Sequence, residues 1–184
     1  MMALEKRVKN FFHLKPGRKF QTQTKINMDY KSHFKILLDY NLDANILVAD
    51  TLEKNSINSG KPIELLSHII NAEIIILERI RKTKNQDLFE MRNAAENKAR
   101  AKSIHSDWLK YLTSLQEKDF NNTVDYVNIR GQKVTAEIWD MFMHLINHSN
   151  YHRAQIATQL RSININPPIT DFINFRMNKK NNSE

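Results

Sequence analysis

Apolar residues recur at intervals of three and four along four stretches of the chain, the spacing that places them on one face of an α-helix. The predicted helices cover about 30–54, 62–82, 94–117 and 138–161. The second is apolar on nearly all sides, which predicts deep burial, whereas the third is the most polar. Pro62 suits a first helical turn, and Asn93 with Glu96 forms a capping-box pattern before the third helix.

Short segments with little helical periodicity separate these helices. Residues 55–60 are a loop by composition, 85–93 a polar link, and 123–134 alternate in polarity, which predicts a short hairpin or an extended crossing segment. The last long helix is predicted to open after Thr135 as N-cap, with Glu137 in its first turn. Residues 169–177 are a candidate final short helix. The pattern therefore predicts an all-α fold, a four-helix bundle with one longer connection before its last long helix.

The basic charge of the chain is concentrated at its ends. The net charge is +8, and residues 1–25 hold seven Lys/Arg against one acidic residue. We expect 1–27 to be a poorly ordered basic arm, with Met28 as an alternative start, followed by a bundle over 28–178 and a tail over 179–184. No Lys/Arg stripe follows a predicted helix, so a solvated arm is favoured over a nucleic-acid interface.

Several function classes are disfavoured by composition. The chain has no cysteine, so a disulfide, a thiolate ligand and a cysteine nucleophile are all excluded. No run of about 18 apolar residues predicts a membrane span, and the N-terminal residues lack the apolar region of a secretory signal. The cytoplasm is the default expectation for its location.

Three histidines on the last long helix carry the candidate chemistry. His144, His148 and His152 are spaced by four, and residues at i and i+4 share a helix face, so two imidazoles can point at one metal ion. Placed on a helical wheel, His148 and His152 border the apolar face and His144 points sideways, which favours the 148/152 pair. With seven histidines in the chain, a chance pair at this spacing is roughly a one-in-four event, so the pair alone is weak evidence. Ser149 follows His148 where a zincin-type protease would have its glutamate, which disfavours that class.

His68 lies inside the apolar second helix and is either a hydrogen-bonded core residue or a ligand. Metal sites of helical bundles are built in the core from facing helices. His68 together with His148 and His152 would form a three-histidine site with an open position, which is the pattern of a catalytic rather than a structural metal.

The chain also resembles a known family over residues from about 28 to 176. The matching motifs are LLDYNLDAN (37–45), LSHI (66–69), HLINHSNYHRAQI (144–156) and PPITDFI (167–173), of which the third is the most specific. On these motifs the chain is similar to the DinB/YfiT-like superfamily, or DinB family. The resemblance implies an up-down-down-up four-helix bundle, often a homodimer, with His68, His148 and His152 binding nickel, zinc or iron. Its members include thiol S-transferases that use bacillithiol or related thiols, and suggested metal-dependent hydrolases.

Two hypotheses follow for the function. In the first, the chain is an enzyme whose metal lowers the pKa of a water or of a low-molecular-weight thiol cosubstrate that acts on a small-molecule substrate. His144, Asn45 and Arg153 would orient ligands or substrate, with a packing histidine, a polar cap contact and a surface arginine as their structural alternatives. In the second, the chain is a non-catalytic, metal-stabilised stress or interaction protein.

Overall fold

The computed structural model describes residues 29–83 and 86–181. The predicted basic arm over 1–27, Met28 and residues 182–184 of the predicted tail lie outside these ranges. The elements in chain order are α1 (Tyr30–Lys54), α2 (Lys61–Arg81), α3 (Ala94–Ser114), a 3-10 turn (Glu117–Asn121), β1 (Thr123–Val127), β2 (Lys133–Glu137), α4 (Ile138–Ser162) and α5 (Phe172–Asn181). The fold is all-α, with one two-stranded sheet.

Contacts between side chains give the directions of the four long helices. Helix α1 runs antiparallel to α3. Asp39 of α1 contacts His105 of α3, whereas Asp50, later in α1, contacts Lys98, which is earlier in α3. Helices α2 and α3 run parallel, because Ser67 meets Asn97 and Arg81 meets the Asp107 carbonyl further along both.

Helices α1 and α4 are also parallel. Phe34 stacks on Phe142 and, further along both helices, Asn45 accepts a hydrogen bond from Arg153. The four directions together make the expected up-down-down-up bundle.

An aromatic cluster fills one end of the core. The ring of Phe142 lies 4.6 Å from that of Phe34, 4.9 Å from Trp108 and 5.9 Å from Phe120, measured between centroids. All four side chains are almost fully buried. The Trp108 indole donates to the backbone carbonyl of Glu73 at 3.2 Å, which satisfies its polar atom inside the core. Burial of rings from α1, α3, α4 and the 3-10 turn ties the bundle together near the start of α4.

The connection before α4 is an antiparallel hairpin in which Thr123 pairs with Glu137 and Val127 with Lys133. The predicted start of the last helix is wrong in two respects. Thr135 is not its N-cap but a residue of β2, and its hydroxyl donates to Asp125 across the hairpin at 2.6 Å. Glu137 precedes the first turn instead of lying in it. It is the cap residue, and its backbone N–H donates to Asp140. Helix α3 ends at Ser114 rather than near Glu117, because Glu117 opens the 3-10 turn.

Helix α5 packs on α1 through Tyr40. The Tyr40 ring contacts those of Phe172 and Phe175, and its hydroxyl oxygen lies 2.8 Å from both Asn150 Oδ1 and the Thr170 carbonyl oxygen. None of the described helices is long and apolar enough to span a bilayer.

Candidate metal site

Three histidines from two antiparallel helices converge at one place in the bundle. His68 projects from α2, and His148 and His152 project from successive turns of α4. One ring nitrogen from each lies within 4.8 Å of the others. The ring centroids are 4.4 Å apart for His148 and His152, and 4.7 Å apart for His68 and His152. The sequence prediction that these three residues lie together therefore agrees with the geometry.

The spacing of two of the three nitrogens fits a shared divalent ion. The Nε2 atoms of His148 and His152 are 3.2 Å apart. Two nitrogen ligands at about 2.0–2.1 Å from a tetrahedral zinc ion lie about 3.3–3.4 Å from each other. The two imidazoles therefore hold nearly the separation that a common ion requires, and they need no large rearrangement to accept one.

The electrostatics of the cluster favour neutral imidazoles, the form that binds a metal. Burial, together with repulsion from the neighbouring His152, His68 and His144, lowers the pKa of His148 to about 3. Burial also lowers the pKa of His68, with added repulsion from His152 and Lys61. Because a metal ligand must be unprotonated, these rings are ready to bind near neutral pH without first releasing protons.

Hydrogen bonds orient two of the three rings. His152 Nδ1 lies 2.9 Å from Gln155 Oε1, which leaves Nε2 directed at His148. A hydrogen bond with the Leu88 backbone acts on His68 and opposes the lowering of its pKa. Partners of this kind fix the tautomer and orientation of metal-binding histidines. Gln155 is not among the site residues predicted from the sequence, although its position three residues after His152 on the same helix could have indicated the contact.

The suggested supporting residue His144 lies beside the cluster without joining it. It is exposed, and its ring centroid is 5.5 Å from that of His148. Although the residue as a whole is exposed, neighbouring groups shield part of its ring from water, and this desolvation and the charge of Arg79 lower the pKa of His144. The sideways direction predicted from the helical wheel matches this position.

Asn45 and Arg153 lie in a separate buried network. Arg153 donates to the side-chain oxygens of Asn41 and Asn45 at 2.7 Å each. The two amides in turn donate to Glu73 Oε1 at 2.7 and 2.8 Å. Within the described ranges, no hydrogen bond of Asn45 or Arg153 reaches the three histidines. Both residues bridge α1, α2 and α4 beside the site, and the suggestion that they orient ligands or substrate stays a prediction.

Glu73 is the buried acid of this network and is not among the residues predicted from the sequence. Burial raises its pKa to about 7, opposed by the Asn41 and Asn45 hydrogen bonds and the charge of Arg153. The two asparagines separate the carboxylate from the guanidinium, so the ion pair is indirect. The contacts fix the rotation of α4, because Arg153 faces α1 while its neighbour His152 faces α2.

The segment 86–92 closes one side of the site and is bound to α2. Asn71, fully buried, donates to the backbone carbonyls of Leu88 and Glu90 at 3.1 and 2.8 Å. Ser67 exchanges hydrogen bonds with the backbone of Arg92 at 3.1 and 3.2 Å. The helix that carries His68 therefore also holds the loop beside it.

A pocket of about 370 Å³ opens at His68 and His152. Its apolar wall combines Leu65 of α2 with Leu88, Phe89 and Met91 of the adjoining loop. Phe89 is 76 % exposed and Met91 53 %, so these two lining side chains face solvent rather than the core, and the pocket is open. A small molecule can thus reach the histidines from solvent.

Comparison with known proteins identifies one family and a solved structure of similar fold. The profile of the DinB family matches residues 42–182. A crystal structure of a DinB-like protein from Bacillus cereus ATCC 10987 is 19 % identical, with a TM-score of 0.57 over 71 % of this chain and 91 % of that one. At this identity the likeness supports the fold alone. The comparison with curated proteins gave no significant match.

Proposed function

Because this chain belongs to the DinB family, we propose that it binds a divalent metal ion, nickel, zinc or iron, through His68, His148 and His152. The observation that carries this proposal is the convergence of three ring nitrogens within 4.8 Å of one another, from α2 and α4. The hydrogen bonds that orient His152 through Gln155 and His68 through the Leu88 backbone support it further. Three protein ligands leave a coordination position free on a tetrahedral ion.

We propose further that the chain is an enzyme of the thiol S-transferase or hydrolase type. A divalent ion in the site lowers the pKa of a water or thiol toward neutrality. Because the chain contains no cysteine, any sulfur nucleophile is a cosubstrate. The three histidines hold the ion, and the pocket beside His68 and His152 admits the substrate. The open pocket favours this reading over a non-catalytic, metal-stabilised stress or interaction protein.

The ligand assignment is tested by metal analysis of purified variants. His148→Ala is expected to lose the bound metal and any turnover while its helical circular dichroism persists. His33→Ala is the matched control, since His33 is exposed on α1. Stoichiometric metal in His148→Ala would overturn the assignment.

The position of His144 allows a second comparison in the same experiment. His144→Ala is expected to keep its metal, because the cluster of ring nitrogens within 4.8 Å does not include His144.

A non-catalytic role would be favoured if the metal raised the melting temperature but no thiol or hydrolysable substrate were turned over. The homodimer that the family resemblance implies is tested on the same samples by light scattering.

A further inference from the structure

We propose that the pocket beside the histidines binds a small molecule with an ionised donor atom at one end and an apolar body. The donor completes the coordination of the metal, and the body lies against Leu65, Leu88, Phe89 and Met91. This inference rests on the proposed metal site and adds the chemical class of its ligand.

The apolar half of this ligand follows from the composition of the pocket wall. Leu65 comes from the buried face of α2, and Leu88, Phe89 and Met91 come from the loop that follows α2. Phe89 and Met91 are large apolar side chains that are both more than half exposed. A large apolar surface that remains in water beside a reactive site is typical of a binding surface that a ligand covers.

The ionised donor of the ligand is inferred from the charge balance of the site. The three proposed ligands are neutral imidazoles, so they do not compensate the two positive charges of a divalent ion. Both carboxylates of the pocket already have cationic partners: Glu64 pairs with Lys61 at 3.2 Å, and Glu90 pairs with Arg92 at 2.7 Å. The remaining positive charge of the ion therefore favours an anionic donor on the incoming molecule, such as a thiolate or a carboxylate.

The wall is held in place before any ligand arrives. Asn71 fixes the carbonyls on either side of Phe89, and Phe89 N–H donates to Asp87 Oδ1 at 2.9 Å. Gln86 adds contacts with Asn71 and Glu90 at 3.2 and 2.6 Å. A loop fixed in this way loses little conformational freedom on binding, so the contact of its side chains with the ligand contributes to affinity.

The experiment uses the full chain loaded with cobalt(II), whose visible spectrum reports a change of ligand. Three series of increasing chain length are titrated: 1-alkanethiols, alkanoates and alkylammonium ions. We expect at least one anionic series to bind, with affinity rising about three- to fourfold for each added methylene, and the alkylammonium series not to bind. The donor atom of the stronger series identifies whether sulfur or oxygen is preferred.

Variants locate the binding surface. In Phe89→Ser and Met91→Ser we expect the increase in affinity per added methylene to be smaller, while the shortest member of the series binds as tightly as it does to wild type. Ile129→Ser is the matched control, since Ile129 is 78 % exposed in the hairpin turn and does not line the pocket. Two results would overturn the pocket proposal and leave the metal site standing, provided that cobalt itself binds. One is an affinity for the anions that does not change with chain length. The other is alkylammonium binding as tight as that of the anions. Failure to bind cobalt would overturn both.

Discussion

Gln155 Oε1 accepts a hydrogen bond from His152 Nδ1 at 2.9 Å, within one turn of α4. The proton of the imidazole is thereby placed on Nδ1, and the lone pair of Nε2 is left facing His148. A histidine whose tautomer is fixed in this way does not have to reorient its ring when an ion binds.

Gln155→Ala is therefore expected to weaken metal binding about tenfold while the site remains. The measurement is competition for zinc against a chromophoric chelator. Gln159→Ala serves as the control, because Gln159 lies one turn further along α4 and is exposed. Equal affinities in the two variants would show that Gln155 does not position His152.

The buried carboxyl of Glu73 predicts a dependence of stability on pH. Burial raises its pKa from 4.5 to about 7 in the folded chain. Between these values the folded state binds more protons than the unfolded state, so the stability contributed by this group is present at low pH. As pH rises from about 4.5 to 7 this contribution is lost, and the unfolding free energy falls by at most about 3 kcal/mol.

The test is a comparison of the unfolding free energies of wild type and Glu73→Gln in urea, from about pH 5 to pH 8. The neutral amide cannot ionise, so the variant is expected to gain stability relative to wild type as pH rises. Removing the acid near Arg153 also changes the unfolding free energy, but this change is independent of pH. It therefore does not alter the slope of the unfolding free energy against pH. Glu53→Gln, at an exposed position on α1, should leave the slope unchanged. A constant difference between wild type and Glu73→Gln would contradict the raised pKa.

Asn71 is expected to set the stability of the loop over the site. Asn71→Ala removes the donor to the Leu88 and Glu90 carbonyls and the acceptor for Arg92 and Gln86. We expect a loss of about 1–3 kcal/mol in unfolding free energy, with faster proteolysis within the segment 86–92. Asn58→Ala, at an exposed position in the loop after α1, is the control. Protease resistance equal to wild type would mean that other contacts hold the loop.

The periodicity of apolar residues was sufficient to predict the long helices and the histidine cluster. The helix predicted at 30–54 has the same bounds as α1, because its apolar residues form one continuous face that α3 and α4 cover. His68, His148 and His152 could be brought together from sequence because each lies on or beside an apolar face, and such faces meet in the core of a bundle.

The buried polar contacts could not be predicted in this way. Spacing shows that Asn45 and Arg153 lie on helices but not that both turn toward Glu73, since hydrogen-bonded pairing across a core depends on the relative shift and rotation of the helices. Thr135 was misread as a cap because threonine is common at both N-caps and strands, and only its partner Asp125 distinguishes them.

Tyr40 links the last described helix to the bundle. Its hydroxyl lies 2.8 Å from Asn150 Oδ1 and from the Thr170 carbonyl, while its ring packs on Phe172 and Phe175. Tyr40→Phe keeps the ring and removes only the hydroxyl, so we expect a loss of about 1 kcal/mol in urea unfolding. Tyr151→Phe is the matched control, because Tyr151 is 63 % exposed. Equal losses in the two variants would show that ring packing alone, rather than the buried hydroxyl, holds α5 against α1.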